Sequence, residues 1–347
     1  MSYQPPYTIT PAILTDVARI CEALGRLSLI AEMQDLRLRR INRIRTLRGS
    51  LAIEGNTLSE EQISTILDGK PVIAPPREVQ EVRNAIKAYD QYPHWNPASK
   101  VDLLKAHEIM CTGLLDAPGR YRTGGVGVMG PTEVLHVAPP PGRIPELMGG
   151  LLGWLKTTDE HALISSCVFH YEFEFIHPFE DGNGRLGRLW QTLILTRWNP
   201  LFMNIPIESM VYTHQNDYYQ AIAQSSKEGE STAFIEFMLK TILEKIIDSG
   251  DETDHVTDHV SDQVNGLLSA FASSRAGRAC SAAELMAVLG LSHRPTFRQN
   301  YLHPALEAGL IEMTIPDKPR SRNQKYRLTV RGRELLNNGK LKMENGE

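Results

Sequence analysis

The sequence has few cysteines and no long apolar run. Its 347 residues include four cysteines, which are too far apart for a disulfide framework or a zinc-type pairing. No apolar stretch is long enough to span a bilayer, and the opening residues MSYQPPYTITPAIL lack the basic and apolar regions of a secretory signal. These absences predict a cytoplasmic protein with reduced thiols and no membrane contact.

A strong net charge is also lacking, but the charge is unevenly distributed. The net charge of −4 argues against a general attraction to nucleic acid or membranes. Residues 264–347 carry 13 Lys and Arg against 7 Asp and Glu, whereas the rest of the chain carries 24 against 34. This basic C-terminal part indicates a separate partner, either DNA or another protein.

Helical periodicity dominates the chain from residue 11 to about residue 250. Residues 11–54 predict helices that stop at Gly55, and capping-box spacing from Thr57 to Glu60 predicts the start of another helix. Between Gly119 and Gly142, glycines, prolines and β-branched residues replace this pattern and predict a short hairpin. The expected fold class is mainly α, a helical bundle with one β-hairpin.

The C-terminal part shows a different pattern. The polar repeat DETDHVTDHVSDQ at 251–263 predicts a linker or a solvated helix extension, and 264–347 predicts three short helices followed by a hairpin with the basic tip KPRSRNQKYR. Capping-box spacing of Ser281 and Glu284 supports the second helix. This order is typical of a winged helix-turn-helix domain. The third helix carries side chains suited to phosphates and base edges, namely His293, Arg294, Thr296, Arg298 and Asn300.

One polar and flexible stretch, IHPFEDGNGRLGRLW at 176–190, separates two strongly apolar segments. We expect DGNGR to begin a helix, whose unpaired N–H groups and partial positive charge favour anions. Gly182 and Gly184 let the backbone approach a ligand closely, and Asn183 adds amide donors. The stretch therefore predicts an anion site.

The charged residues of this stretch make the prediction more specific. Arg185 and Arg188 are three residues apart, so we expect both to point to one side and to hold several phosphate groups. Asp181 beside phosphates implies a bridging divalent cation, for which Mg²⁺ is the natural candidate. His177 lies just upstream and is placed to act as a general base on a hydroxyl.

The stretch HPFEDGNGRLGR, His177 to Arg188, resembles the Fic family motif HPFx(D/E)GNGRxxR and matches it at every fixed position. The resemblance covers roughly residues 10 to 250. It implies a Fic-type helical bundle with a hairpin flap, made of an N-terminal helical region at 1–95 and a core at 96–250, followed by the linker and winged-helix domain at 264–347. Fic proteins mostly transfer AMP from ATP to a hydroxyl side chain of a target protein and release pyrophosphate.

The resemblance also implies a role for each motif residue. His177 is the base that deprotonates the target hydroxyl, Phe179 fixes the loop and Asp181 binds Mg²⁺. The residues implied to bind ATP and its phosphates are Gly182, Asn183 (on the α-phosphate), Gly184, Arg185, Leu186, Gly187, Arg188 and Tyr218. The aromatic ring of Tyr218, beside Tyr219, is implied to contact adenine, and a plain core aromatic is the alternative. The flap residues implied to hold the target segment by strand pairing are Thr132, Glu133, Val134, Leu135, His136 and Val137.

A second motif, RGSLAIEGN at 48–56, changes the interpretation of the first. Glu54 is expected at the end of a helix, where the helix dipole disfavours a carboxylate, so it is either solvated or held by a cation. Ser50, Glu54 and Gly55 resemble the Fic inhibitory motif (S/T)xxxE(G/N). The resemblance implies that Glu54 pairs with Arg188, so that ATP binds in a non-productive pose.

Several alternatives stay open from the sequence. Glu54 could position a water for removal of AMP, which makes a de-AMPylating hydrolase the second activity. A nucleotide-sensing DNA-binding regulator and the use of another phosphate donor are further alternatives. The expected partners are an unidentified target protein and the chain itself, both as a substrate for self-AMPylation and as a homodimer through the basic face RLRRINRIR at 37–45.

Overall fold

The structure is a computed structural model that describes residues 3–31, 36–129, 134–258, 262–273, 279–291, 293–307, 309–315, 318, 321, 323–330, 332–333 and 336. The chain divides into two compact units, Met1–Gly250 and Asp251–Glu347. The first unit contains both the region expected at 1–95 and the core expected at 96–250, which share one hydrophobic core.

The first unit is a helical bundle, as the periodicity predicts. Its helices are α1 (Pro11–Ala31), α2 (Leu36–Ile53), α3 (Glu60–Leu67), α4 (Pro76–Gln91), α5 (Lys100–Cys111), α6 (Ile144–Thr157), α7 (Ala162–Ile176), α8 (Asn183–Trp198), α9 (Ile207–Thr213), α10 (Gln215–Glu228) and α11 (Thr232–Asp258). Short 3₁₀ turns cover Tyr92–His94, Pro141–Arg143 and Pro200–Asn204. No helix among the described residues is long and apolar enough to cross a membrane.

Helices α7 and α8 pack against each other at the centre of the bundle. Phe169, Phe173 and Trp190 are completely buried there, and nearly every residue of α7 is enclosed. An apolar sequence on all sides of a helix is expected at such a position. The polar stretch singled out in the sequence is the connection between these two helices, so a rigid pair of elements positions it.

Helix α2 crosses α9 at very short range. A Cβ atom on Gly49 would lie 2.5 Å from the backbone nitrogen of Ser209, so glycine is required for this contact. Gly55, at φ +89°, follows the end of α2 as predicted.

The predicted capping box at Thr57 is wrong by two residues. Ser59 is the N-cap of α3, and it exchanges hydrogen bonds with Gln62. Thr57 instead donates its backbone N–H and its hydroxyl to Glu78 of α4, at 2.6 and 2.9 Å. This tertiary contact replaces the local cap.

The predicted hairpin consists of β1 (Gly127–Met129) and β2 (Val134–Val137), which pair antiparallel. Gly127 lies opposite Val137, and Val128 lies opposite His136. The pairing register shifts between Val128 and Met129. Thr132 and Glu133, predicted in the same hairpin, lie outside the described residues.

The second unit combines short helices with a three-stranded antiparallel sheet of order β3-β5-β4. Its elements are α12 (Asp262–Ser273), β3 (Cys280–Ser281), α13 (Ala282–Val288), α14 (Arg294–Phe297), a π-helical turn (Arg298–Leu302), α15 (His303–Glu307), β4 (Ile311–Met313) and β5 (Lys325–Leu328). The capping box of Ser281 and Glu284 forms as predicted. Strand β3 was missed because it is only two residues long.

The segment at 251–263, expected as a linker or a solvated helix extension, is helical where the structure describes it. Helix α11 continues to Asp258 and α12 begins at Asp262, so 251–258 and 262–263 are helical. Parts of the predicted basic tip and third helix, namely Arg320, Arg322 and the side chain of Asn300, lie outside the described residues.

Candidate functional site

His177 ends α7 in a left-handed conformation. Its φ of 48° is the only positive φ of a non-glycine residue in the described part of the chain. Its N–H donates to the carbonyl of Phe173 at 2.9 Å, which closes the last turn of the helix. Such a conformation costs about 1–2 kcal/mol, and residues held this way cluster at functional sites. The side chain is 18% exposed, so the imidazole is accessible from solvent.

Phe179 and Asn183 close the loop that follows. The Asn183 amide accepts the N–H of Phe179 and donates to its carbonyl, both at 2.9 Å. The ring of Phe179 is fully buried and stacks on His107 with centroids 3.7 Å apart. The expected role of Phe179 in fixing the loop fits this packing. The amide of Asn183, expected on a phosphate, instead closes the loop.

His107 supports the same loop from α5, and no pattern in the sequence indicated this role. Its Nδ1 accepts the N–H of Gly119 at 2.8 Å, so Nε2 carries the proton and donates to the carbonyl of Asp181 at 2.9 Å. Burial lowers the pKa of His107 to about 4 and keeps the ring neutral. This ring therefore positions the backbone immediately before α8.

Two glycines open the N-terminus of α8. Gly182 has φ +84°, and a Cβ there would lie 2.7 Å from Sγ of Cys111. A Cβ on Gly184 would lie 2.3 Å from Oε1 of Glu54. The absent side chain at 184 thus lets a carboxylate approach the positive end of the helix, which is the anion site predicted from the sequence.

Arg185 pairs with acids on one side of α8. Its Nη2 lies 3.0 Å from Oδ1 of Asp181, and its Nη1 lies 3.6 Å from Oε1 of Glu81 on α4. Burial acts to raise the pKa of Asp181, but Arg185, the Gly182 N–H and Arg77 together hold it below its ordinary value. The carboxyl is therefore ionised at neutral pH.

Asp181 suits a divalent cation bound together with phosphates. The side chain is 38% exposed, and a protein site for Mg²⁺ needs only one or two carboxylates when phosphate oxygens and waters complete the shell. The described residues contain no cluster of three or more acidic, His or Cys side chains that would hold a metal alone. The donor set therefore fits Mg²⁺ that arrives with a nucleotide.

Arg188 points to different partners from Arg185, contrary to the expectation that both face one side. Its Nη2 donates to Oε1 of Glu54 at 2.7 Å and to the carbonyl of Ser50 at 2.9 Å. Its Nε lies 3.4 Å from the Ser50 hydroxyl. Burial acts to lower the pKa of Arg188, but Glu54 outweighs it and holds this pKa above its ordinary value. Arg188 is therefore fully charged and engaged by α2.

The end of α2 is fixed beyond Glu54 as well. Asn56 accepts the N–H of Leu58 at 3.1 Å and donates to Glu81 at 2.9 Å and to the carbonyl of Glu78 at 3.2 Å. Gln215 of α10 donates to the carbonyl of Ile53 at 3.0 Å. These contacts hold the Glu54 carboxylate at the start of α8.

Glu174 is a buried carboxyl beside His177 that sequence reasoning missed. Its Oε2 lies 3.8 Å from Nδ1 of His177, and a Cβ on Gly187 would lie 3.0 Å from its Oε1. Burial raises the pKa of Glu174 to about 8, although Arg188 acts to lower it. Its position three residues before His177 on the same helix could have indicated that the two side chains lie close together.

Leu186, Gly187 and Tyr218, which the resemblance implies in nucleotide binding, all lie in closely packed surroundings. Leu186 is completely buried in the core, and Gly187 packs against α7. Tyr218 is 2% exposed, and its hydroxyl donates to Nε2 of His170 at 3.1 Å. This packing favours the alternative of a core aromatic for Tyr218, whereas its neighbour Tyr219 is only partly buried. Burial and the charge of Glu54 raise the pKa of Tyr219, and Arg188 acts to lower it.

Arg122 connects the hairpin to the loop after α7, and the sequence did not indicate it. Its guanidinium donates to the carbonyls of Gly124 and Pro139, on either side of the hairpin, both at 2.7 Å. It also donates to the carbonyl of His177 at 2.7 Å. A buried arginine with several backbone acceptors is well satisfied. The side chain of Arg122 thus links the backbone of the hairpin to the backbone of His177.

The family models match two parts of the chain. Residues 97–195 match the Fic/DOC family, and residues 262–329 match the C-terminal domain of the "Filamentation induced by cAMP protein Fic-like" family. The second match falls within the second unit, Asp251–Glu347.

Among curated relatives, the chain is similar to proteins named "Protein adenylyltransferase Fic". It is 30% identical over 203 residues to the protein of Culex quinquefasciatus and 28% identical over 214 residues to that of Nematostella vectensis. The alignments cover 54% and 58% of this chain. They span 38% and 47% of those two longer proteins.

Solved structures resemble most of the chain. A fragment of Fic-1 from C. elegans aligns with a TM-score of 0.56 at 21% identity, over 70% of this chain and 74% of that one. At this identity the alignment is evidence for a shared fold only. The crystal structure of a Fic family protein from Desulfovibrio desulfuricans G20 aligns with a TM-score of 0.72 at 52% identity, over 94% of this chain and 99% of that one. The expected Fic-type fold is confirmed, and the chain belongs to the Fic family.

Proposed function

We propose that this protein transfers AMP from ATP to a hydroxyl side chain of a target protein, with release of pyrophosphate. The observation that carries the proposal is the Glu54 carboxylate at the N-terminus of α8, 2.7 Å from Arg188. This end of the helix already accommodates an anion, and His177 lies six residues before the first residue of α8 in the chain. The names of the curated relatives support the same activity.

In the proposed reaction, the residues of the loop between α7 and α8 would bind ATP and accept a proton. His177 would accept the proton of the incoming hydroxyl, since its imidazole is partly exposed to solvent. The backbone N–H groups around Gly182 and Gly184 would hold phosphate oxygens, and Asp181 would hold Mg²⁺. The edge of β2 would hold an extended target segment by strand pairing.

The same geometry supports autoinhibition. The guanidinium of Arg188 donates hydrogen bonds to Glu54 and Ser50, so it is not available to a terminal phosphate. Only displacement of the end of α2 would free it. We infer that AMP transfer by the native chain is slow and that loss of the Glu54 carboxylate accelerates it.

The test is incorporation of AMP from labelled ATP with Mg²⁺, read by mass spectrometry of the protein itself. Glu54→Gly should raise incorporation at least tenfold over the native chain, and Glu54→Gly with His177→Ala should abolish it. The matched control is Glu228→Gly, since Glu228 also ends a helix just before a left-handed glycine but is exposed and distant from Arg188. Equal incorporation by the native chain and Glu54→Gly would refute autoinhibition, and no incorporation in any variant would refute the transfer.

Removal of AMP is a second candidate, favoured by the position of the Glu54 carboxylate at the site. A carboxylate beside the nucleotide could orient a water for hydrolysis. Incubation of AMP-modified protein with the native chain should then release AMP, and Glu54→Gly should not. Absence of release by the native chain would exclude this activity.

A nucleic-acid partner is proposed for the second unit. His293, Arg294 and Arg298 are exposed along α14 and the turn after it, where a winged-helix domain contacts DNA. Affinity for duplex DNA should fall steeply as the salt concentration rises and should drop in Arg294→Glu. Salt-independent or absent binding would favour a protein partner instead.

A further inference from the structure

A cleft of about 640 Å³ lies against the face of α2 that carries arginines. Its lining includes Arg39, Arg40, Arg43 and Thr46 of α2. It also includes Tyr89 of α4 and Tyr92, the first residue of the 3₁₀ turn that follows α4. Residues of the 3₁₀ turn Pro200–Asn204 form the opposite wall. The volume is in the range of sites that hold small organic molecules.

The charges of the cleft favour an anion. Arg40 pairs with Asp68 at 2.5 Å, and Arg43 pairs with Asp90. Arg39 is exposed and has no acidic partner among the described residues. Three guanidiniums against two carboxylates leave one positive charge, and the paired arginines are half-exposed and keep further N–H donors.

The other walls favour a flat apolar group. The hydroxyl of Tyr89 donates to the buried Glu208 at 3.0 Å, and that of Tyr92 lies 3.4 Å from the hydroxyl of Thr196. Tyr92 is only 4% exposed, so the partly buried ring of Tyr89 is the aromatic surface that these two residues offer to the cleft. Guanidiniums beside aromatic rings suit a ligand that carries both an anionic group and a ring.

The cleft lies one helical turn from the contact between Glu54 and Arg188. Thr46 lines the cleft, and Ser50, four residues later on α2, touches Arg188. Thr192 also lines the cleft and lies four residues after Arg188 on α8. Residues four apart on a helix lie on the same face, so both sites share the α2–α8 interface.

We propose that this cleft binds a small organic anion with a phosphate group and a flat ring, and that the bound ligand holds α2 in its inhibitory position. A ligand that joins the α2 arginines to the opposite wall stabilises the docked state of α2 over the displaced one. The binding site stands independently of AMP transfer, whereas the regulatory effect rests on the proposed function.

The binding test uses phenyl phosphate as the probe and the full chain. Titration calorimetry should show saturable binding, and hydrogen exchange should slow in α2 and in Pro200–Asn204. Arg39→Glu should weaken binding tenfold or more, as expected when a charge-assisted contact becomes a repulsion. Arg39→Gln, a milder change at the same exposed position, should weaken binding less.

The controls separate this cleft from other anion sites. Arg83→Glu makes the same charge reversal at an exposed position of α4 outside the lining, and it should leave binding unchanged. Equal affinity in Arg39→Glu, exchange protection only at the start of α8, or no binding to the native chain would each refute the site.

The regulatory test compares AMP transfer with and without saturating phenyl phosphate. The probe should lower residual transfer by the native chain severalfold and should not affect Glu54→Gly, which has no inhibitory carboxylate to hold in place. Unchanged transfer by the native chain, despite Arg39-dependent binding, would overturn the regulatory role. Absence of transfer in every variant would instead refute the proposed function and leave the binding result standing.

Discussion

Arg185 and Arg188 lie three residues apart at the start of α8, and each is 3% exposed, yet they belong to different parts of the fold. Arg185 pairs with Asp181 in its own loop and with Glu81 on α4. Arg188 pairs with the end of α2, 134 residues away in sequence. One arginine therefore holds its own loop, and the other is the residue that a distant helix contacts and through which we propose autoinhibition.

The two sides of α8 also differ in the ionisation of their carboxyls. Beside Arg185, the pKa of Asp181 lies below its ordinary value, mainly because the charges around it outweigh the effect of burial. Beside Arg188 and His177, burial raises the pKa of Glu174 to about 8. The Arg185 side is therefore an ionic structure at neutral pH, whereas the Arg188 side contains a protonated acid.

The largest effect that we expect is a loss of stability when Arg185 is removed. Arg185→Ala would leave Asp181 and Glu81 without their buried cation, and we expect the free energy of unfolding to fall by about 3 kcal/mol. Arg77→Ala is the control, because Arg77 also touches Asp181 but its side chain is 60% exposed, so its loss should cost less than about 1 kcal/mol. Urea unfolding measures both, and equal losses would contradict the contrast.

The next effect is a pH dependence that originates at Glu174. Its pKa is raised in the folded state, so folding favours the protonated carboxyl and stability falls as pH rises through about 8. Between pH 6 and 8 the native chain should lose about 2 kcal/mol relative to Glu174→Gln, which cannot ionise. Thermal unfolding at several pH values tests this, and parallel pH profiles for the two proteins would contradict it.

A smaller effect is expected where α2 is anchored. Asn56→Ala removes the side chain that ties the turn after Glu54 to α4, so Glu54 should be displaced more often and AMP transfer should rise about threefold, as for about 0.7 kcal/mol. Asn96→Ala is the matched control, since Asn96 makes the same bond to the N–H two residues later, but on an exposed loop. Labelled-AMP incorporation measures both, and a decrease in Asn56→Ala would contradict the role of this anchor.

The smallest effect is expected at Ser50. Its hydroxyl contributes only the 3.4 Å contact to Arg188, whereas its carbonyl makes the shorter bond and survives substitution. Ser50→Ala should change stability by less than about 1 kcal/mol and AMP transfer by less than twofold. A large activation in the same incorporation assay would show that the hydroxyl, and not the Glu54 carboxylate, dominates the inhibition.

The helical fold and the location of the site could be predicted because their signals are local. Helical periodicity and the long motif from His177 to Arg188 need no knowledge of tertiary contacts. The inhibitory pairing of Glu54 came from the family resemblance rather than from the residues alone. Its contact with Arg188 is present in the fold.

The remainder depended on long-range packing that a sequence does not display. Arg122, Glu81 and His107 act through partners brought close only by the fold. The sequence left two alternatives for Tyr218 because adjacent tyrosines on a helix point in different directions, and only the fold shows that Tyr218 is the one buried in the core. The cap at Thr57 failed for the same reason, since Glu78 of another helix competes for its donors.

The missing side chain at Gly184 makes Glu54 comparable to a tethered ligand. A group attached to the same molecule competes at an effective concentration that is in the millimolar range even for a short flexible linker. Here the tether is a helix anchored at both sides of Glu54, so the effective concentration is set by how firmly α2 is docked. Under the proposed autoinhibition, contacts far from Arg188 would therefore set the competition between the Glu54 carboxylate and a nucleotide, and a partner that loosens α2 would weaken the inhibition.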